Sequence, residues 1–174
     1  MGEPLKRNVL RHQDVLVNSE FDEPMNDTIG IVDVQSVVLA ITETRLIPSE
    51  VASKIRGMFD IVYTWLRESN IRQVGHNYAV YDQFTSKGMR MQVGFPVSER
   101  FPDSELVKCV ELAAGRAAHI THTGPYTELH TAYRDLTAWC SRESLKTSGQ
   151  SWEVYGDWND DPAKLITDIY FRLK

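Results

Sequence analysis

The amino-acid sequence predicts an α+β fold. Two copies of a ββαββ unit, related by a pseudo-twofold axis, form one antiparallel sheet of about eight strands with two main helices on one side. Three observations predict it. Stretches rich in Val and Ile come in pairs, before and after each of two amphipathic segments. Those segments carry apolar residues at steps of three and four, the spacing of one buried helix face. Landmarks of the first half also return in the second at nearly constant offsets. Val32-Asp33-Val34 sets against Val110-Glu111-Leu112 and Ala40 against Ala118 at 78, while Trp65 sets against Trp139 and Gly75 against Gly149 at 74.

The first repeat is expected over 29–98. Ile29–Val34 and Val37–Thr44 read as strands joined tightly at Gln35-Ser36. Pro48-Ser49 offers a helix start with Ser49 as cap, and Val51, Ile55, Met58, Val62 and Trp65 make one apolar stripe running to Glu68. Asn77–Phe84 and Met89–Val97 form a second strand pair, turned at Ser86-Lys87-Gly88. The polar, proline-bearing Glu99–Ser104 is a joint between halves.

The second repeat, 105–174, keeps the order. Leu106–Leu112 and Arg116–Thr121 are strands, and Gly124-Pro125-Tyr126 opens a helix whose stripe is Leu129, Tyr133, Leu136 and Trp139-Cys140. Ser148-Gly149 breaks the chain before a strand at Trp152–Trp158, and Leu165–Leu173 closes the sheet. His76–Phe84 lies over Gln150–Trp158, and Val93, Phe95 and Val97 match Ile169, Phe171 and Leu173. Residues 1–28 are an N-terminal extension, with a short strand at Val15–Val17 and an acidic linker at Glu20–Asp27.

The 174 residues suit one domain with a sizeable core, or two small similar halves. A hydrophobic share of 42% and a charged share of 25% are those of a globular domain. No apolar run reaches the ~20 residues that span a bilayer. The charged start M-G-E-P-L-K-R lacks the apolar core of a secretory signal, so a cytoplasmic setting is expected and no membrane partner. Cys109 and Cys140 have no C-x-x-C spacing and read as thiols. The net charge of −5, with both signs mixed along the chain, argues against direct nucleic-acid binding.

Function concentrates in Gly149–Trp158, G-Q-S-W-E-V-Y-G-D-W. In an extended chain Glu153 and Tyr155 share one face, and Trp152 and Val154 the other. A carboxylate among rings needs hydrogen-bond donors or a stacking cationic ligand; otherwise the strand is half exposed and Glu153 sits in water. The counterpart of Glu153 in the first half is Ala79, while Val80 and Tyr81 match Val154 and Tyr155. One carboxylate in an otherwise near-symmetric aromatic groove between the helices reads as a recognition point.

At these residues the chain resembles the GyrI-like small-molecule-binding family, which includes effector domains of multidrug-responsive transcription activators. The resemblance runs from Ile29 to Lys174. It is carried by Gly115-Arg116-Ala117, His122, Gly124-Pro125-Tyr126, then Leu129, Tyr133, Leu136 and Trp139, and Trp152-Glu153-Val154-Tyr155. Phe171-Arg172-Leu173 departs from a pattern in which a proline often precedes the leucine. The resemblance implies a tandem ββαββ fold and a buried or half-buried glutamate, here Glu153, that in many members pairs with cationic aromatic compounds. Stacking partners are Trp152 or Tyr155, Tyr126 and Tyr81. Trp139, Trp65 and Phe95 belong either to the groove walls or to the core.

Some stand-alone relatives are described as hydrolases opening the cyclopropane of DNA-alkylating natural products. Here Glu153 would be general base and Tyr126 or Tyr155 a donor to the developing oxyanion. A third alternative is a protein-interaction module, for a partner such as a topoisomerase; monomer and homodimer both stay open. No cofactor is expected. His119 and His122, three apart on a strand, point to opposite faces and have no zinc-like neighbours, so no metal is expected either.

Overall fold

The computed structural model describes residues 29–174; the extension expected over residues 1–28 lies outside them. The elements are β1 (Gly30–Val34), β2 (Val37–Leu46), α1 (Val51–Glu68), β3 (Tyr78–Thr85), β4 (Gly88–Pro96), β5 (Lys108–Leu112), β6 (Gly115–Thr123), α2 (Leu129–Arg142), β7 (Thr147–Tyr155) and β8 (Ile166–Leu173). All eight strands form one antiparallel sheet in the order β1-β6-β8-β7-β3-β4-β2-β5. The order is unchanged when β1–β4 are exchanged with β5–β8 and the sheet is read from the other edge.

The first strand pair corrects the expectation of a tight hairpin. β1 pairs with β6, β2 pairs with β4 and β5, and Gln35-Ser36 carries the chain from one edge of the sheet to the strand beside the other edge. Two-residue hairpins need left-handed φ values, and neither residue has one. The link stays short because the sheet curls until its edges approach. Val32 and Val34 of β1, Leu39 and Ile41 of β2, Leu112 of β5 and Ala117 of β6 then pack in one cluster with Trp152. The β5–β6 link makes the same crossing.

Two helix starts and one strand also differ from expectation. Pro48–Glu50 is a turn of 3-10 helix, and α1 begins at Val51. Glu50, not Ser49, serves the helix start, its carboxylate accepting from the Ile47 N–H at 3.0 Å. Tyr126–Glu128 is likewise a 3-10 turn before α2. β7 runs Thr147–Tyr155 and not Trp152–Trp158: the break expected at Ser148-Gly149 is a register shift between Thr147 and Ser151 inside the strand, and beyond its end the Gly156 N–H still donates to the Ile166 carbonyl at 2.8 Å. β8 lies inside the sheet between β6 and β7 and does not form its edge.

Both helices bury their stripes against one face of the sheet. Met58, Val62 and Leu66 of α1 are buried, as are Ala132, Leu136 and Cys140 of α2. α1 packs over β2 and β4, and α2 over β6. Ala40, Met91, Val93 and Phe95 lie beneath α1, and Ala118, Ile120 and Ile169 beneath α2. The sheet centre, β3 beside β7, is left between the helices, so the side chains that rise there meet a gap instead of a helix.

Candidate functional site

That gap is a cavity of ≈ 1180 Å³ with β3 and β7 as its floor and the first turns of the two helices as its walls. At its centre Glu153 lies directly across from Ala79, its own counterpart at the offset of 74. Alanine leaves room for the longer side chain. Alternation along β7 turns Glu153 and Tyr155 into the groove and Trp152 to the reverse face.

Glu153 is only 5% exposed. Three phenol hydroxyls donate to it: Tyr133 to Oε1 at 2.8 Å, Tyr81 to Oε2 at 3.4 Å, and Tyr155 also to Oε2. Burial pushes its pKa above the ordinary 4.5, and the three hydrogen bonds pull the other way without prevailing. No basic group among the described residues acts on it. Burial and the neighbouring carboxylate hold the Tyr81, Tyr133 and Tyr155 hydroxyls well above the usual tyrosine value, so they remain donors. The arrangement is therefore a buried acceptor already satisfied by neutral donors, with its charge uncompensated.

The walls are aromatic. Tyr126 meets Tyr155 edge-on at 5.5 Å, and Phe59 meets it edge-on at 6.0 Å from the opposite helix. Phe59 and Tyr133 are counterparts at the same offset of 74, so one half supplies a hydroxyl where the other supplies only a ring. Arg56, Asp60 and His130 stand on the lining, as do the exposed Phe84 and Trp158.

Of the residues singled out in the sequence, Glu153, Tyr155, Tyr126 and Tyr81 come together on this lining, and four others do not. Trp152 is 2% exposed on the reverse face, stacked on Tyr170 at 5.0 Å and capped by the Arg172 guanidinium at 4.8 Å. Phe95 is buried behind the wall, edge-on to Phe59 at 5.7 Å. Trp65 packs on Phe101 at 4.7 Å, and Trp139 packs against the cluster under α2. The groove uses only the N-terminal halves of the helices, and both tryptophans lie one or more turns beyond.

Tyr133, Phe59, Phe84 and Trp158 were missed as site residues. The spacing of Tyr126, Leu129 and Tyr133 by three and four carries the signal for the first of these. His119 and His122 also separate as expected: His119 pairs with Asp168 at 2.8 Å, and His122 lies 3.3 Å from the Pro125 carbonyl. Among the described residues no group of three or more His, Cys, Asp or Glu is placed to hold a metal. No described helix is long and apolar enough to cross a membrane.

An open, ring-walled cleft with one buried acceptor, set at the centre of a curled sheet, defines a small-molecule-binding domain. The family model described as GyrI-like small molecule binding domain matches residues 28–174, and the chain belongs to that family. No curated protein matches the sequence. Solved structures share the fold. The EcmrR C-terminal domain is 17% identical with a TM-score of 0.75, over 85% of this chain and 98% of that one. SAV2435 bound to tetraphenylphosphonium is 14% identical with a TM-score of 0.64, over 84% and 94%. A hydrolase from Listeria innocua is 12% identical with a TM-score of 0.58, over 86% and 93%.

Proposed function

We propose that the groove binds hydrophobic, aromatic, cationic small molecules, with Glu153 as counter-ion and Tyr155, Tyr126 and Tyr81 as ring contacts. One observation carries this reading: a buried carboxylate with no basic partner among the described residues, at the floor of a cavity open to ligands. A cation entering there supplies the missing charge, and the rings supply stacking and cation–π attraction. The tetraphenylphosphonium complex of SAV2435 supports the same ligand class. The test is calorimetric titration with tetraphenylphosphonium and with neutral triphenylphosphine oxide. Glu153→Gln is expected to weaken the cation about tenfold or more and to leave the neutral compound nearly unchanged, since a desolvated charge pair is at stake. Equal loss for both compounds would remove Glu153 as counter-ion.

A second reading is a hydrolase. Three phenols converge on a carboxylate whose proton affinity is raised, and a structurally similar protein is a hydrolase. Glu153 would activate a water that opens a strained cyclopropane, with a tyrosine donating to the oxygen that gains charge. Tyr126 is the most exposed tyrosine on the lining, 39%, and the one free to meet a substrate. Ultraviolet spectra of a cyclopropane-bearing alkylator should then change in the presence of the protein, and not with Glu153→Gln. Unchanged spectra under saturating protein would exclude turnover.

A further inference from the structure

Two large apolar side chains on the lining, Phe84 and Trp158, are 57% and 74% exposed. They are counterparts at the offset of 74, and each lies five residues beyond the central Ala79–Glu153 pair, in opposite directions along the antiparallel floor. At about 3.3 Å per residue this puts each at most about 16 Å from the centre.

Neither points into the groove by simple alternation. Asp82 faces the reverse side with Arg90, held by two hydrogen bonds of 2.8 Å, so regular pleating would send Phe84 there too. Gln83 instead takes φ +50°, and the β3–β4 register shifts between Asp82 and Thr85. Arg45 holds that irregularity, donating to the Gln83 side chain at 2.9 Å and to its carbonyl at 3.1 Å. A bulge of this kind re-aims the next side chain, here Phe84. At the other end the chain leaves β7 at Gly156, and Trp158 is steadied by its indole N–H donating to Asp160 at 3.2 Å.

Resting on the reading of the groove as a ligand site, we propose that it is a trough for an elongated ligand. Such a ligand carries a cationic or donating centre at Glu153 and aromatic groups at both ends, stacked on Phe84 and Trp158. A compact cation reaches the carboxylate but neither end. Two exposed rings on one cavity lining, at the same sequence separation from its acceptor, offer contacts to a molecule long enough to reach both.

The probes are symmetric secondary ammonium ions with two naphthyl-tipped alkyl arms, one set reaching about 8 Å from the nitrogen and one about 15 Å, the trough half-length estimated above. Tetraphenylphosphonium is the compact control. The long-armed probe is expected to bind more tightly than the short-armed one. Phe84→Ala and Trp158→Ala should each weaken the long-armed probe about three- to tenfold, the range of one aromatic contact. Both variants should weaken the long-armed probe more than the short-armed probe or tetraphenylphosphonium, and an equal loss for all three would overturn the trough. Melting temperatures report that the variants fold. Long-armed affinity unaffected by either substitution, or no advantage over the short arms, would overturn the trough. If no probe binds, tetraphenylphosphonium included, the ligand-site reading itself fails.

Discussion

Glu153 is the residue whose environment differs most from what its type prefers. Burial raises its pKa above 4.5 in the folded chain, while the unfolded chain keeps the ordinary value. Between those two values the folded state holds a proton that the unfolded state has released, so rising pH favours unfolding. The stability this group contributes is complete below about pH 4.5 and is lost as pH rises through the folded pKa. Asp168 behaves oppositely. The His119 hydrogen bond holds its carboxyl low, so its contribution appears above the ordinary 3.8 and is lost on acidification. Glu153→Gln cannot ionise and leaves Asp168 in place, so comparing the two proteins isolates the glutamate. Scanning calorimetry from pH 4.5 upward should show the variant gaining melting temperature relative to the native chain, then levelling off. A difference that does not vary with pH would contradict the buried-acid account. The same ionisation makes cation affinity of the native chain rise with pH over that window, and Gln removes the trend.

Among the elements, the β2–β4 pair shows how little slack lies beneath α1. A Cβ at Gly94 would stand 1.8 Å from the Ala40 carbonyl oxygen and 2.9 Å from the Ile41 Cα, both backbone atoms that cannot swing aside. Gly94→Ala must therefore part the two strands, with a cost of about 3 kcal/mol or more, the large end of single-substitution effects. Urea unfolding measures it; a loss below about 1 kcal/mol, within the usual range for tolerated changes, would mean that the strands separate easily. The same scale explains the helix starts. Proline marked both to within a turn, but that Glu50 and not the expected Ser49 serves the first depends on where the Ile47 N–H points.

For the whole molecule, each half sends its first strand to the other. Among the described residues β1 pairs only with β6, and β5 only with β2. The reverse-face core draws Val32, Leu39 and Ile41 from one half and Leu112, Ala117 and Trp152 from the other. Neither 29–98 nor 105–174 can then complete its sheet alone. Expressed separately, each should lack cooperative thermal unfolding, and mixing them should restore both the transition and the circular dichroism of the intact chain. A half that unfolds cooperatively alone would show that the exchanged strand is dispensable.

Periodicity and offsets were enough to predict the two helices, the number of strands and the ββαββ order, though not the bounds of β7, because these depend on local pattern and on likeness within one chain. They also singled out Glu153, since its counterpart is alanine, and they aligned Phe84 with Trp158. Tertiary structure alone decided the crossing at Gln35-Ser36, because curling brings the sheet edges together over distances that no local pattern encodes. It also decided which aromatics reach the cavity. Trp65, Trp139, Phe95 and Trp152 carry the same residue-type signal as Tyr81 and Tyr155, but the depth at which each helix seats, and the face to which each strand turns it, bury Phe95 and Trp152 in the core and leave Trp65 and Trp139 half-buried against it.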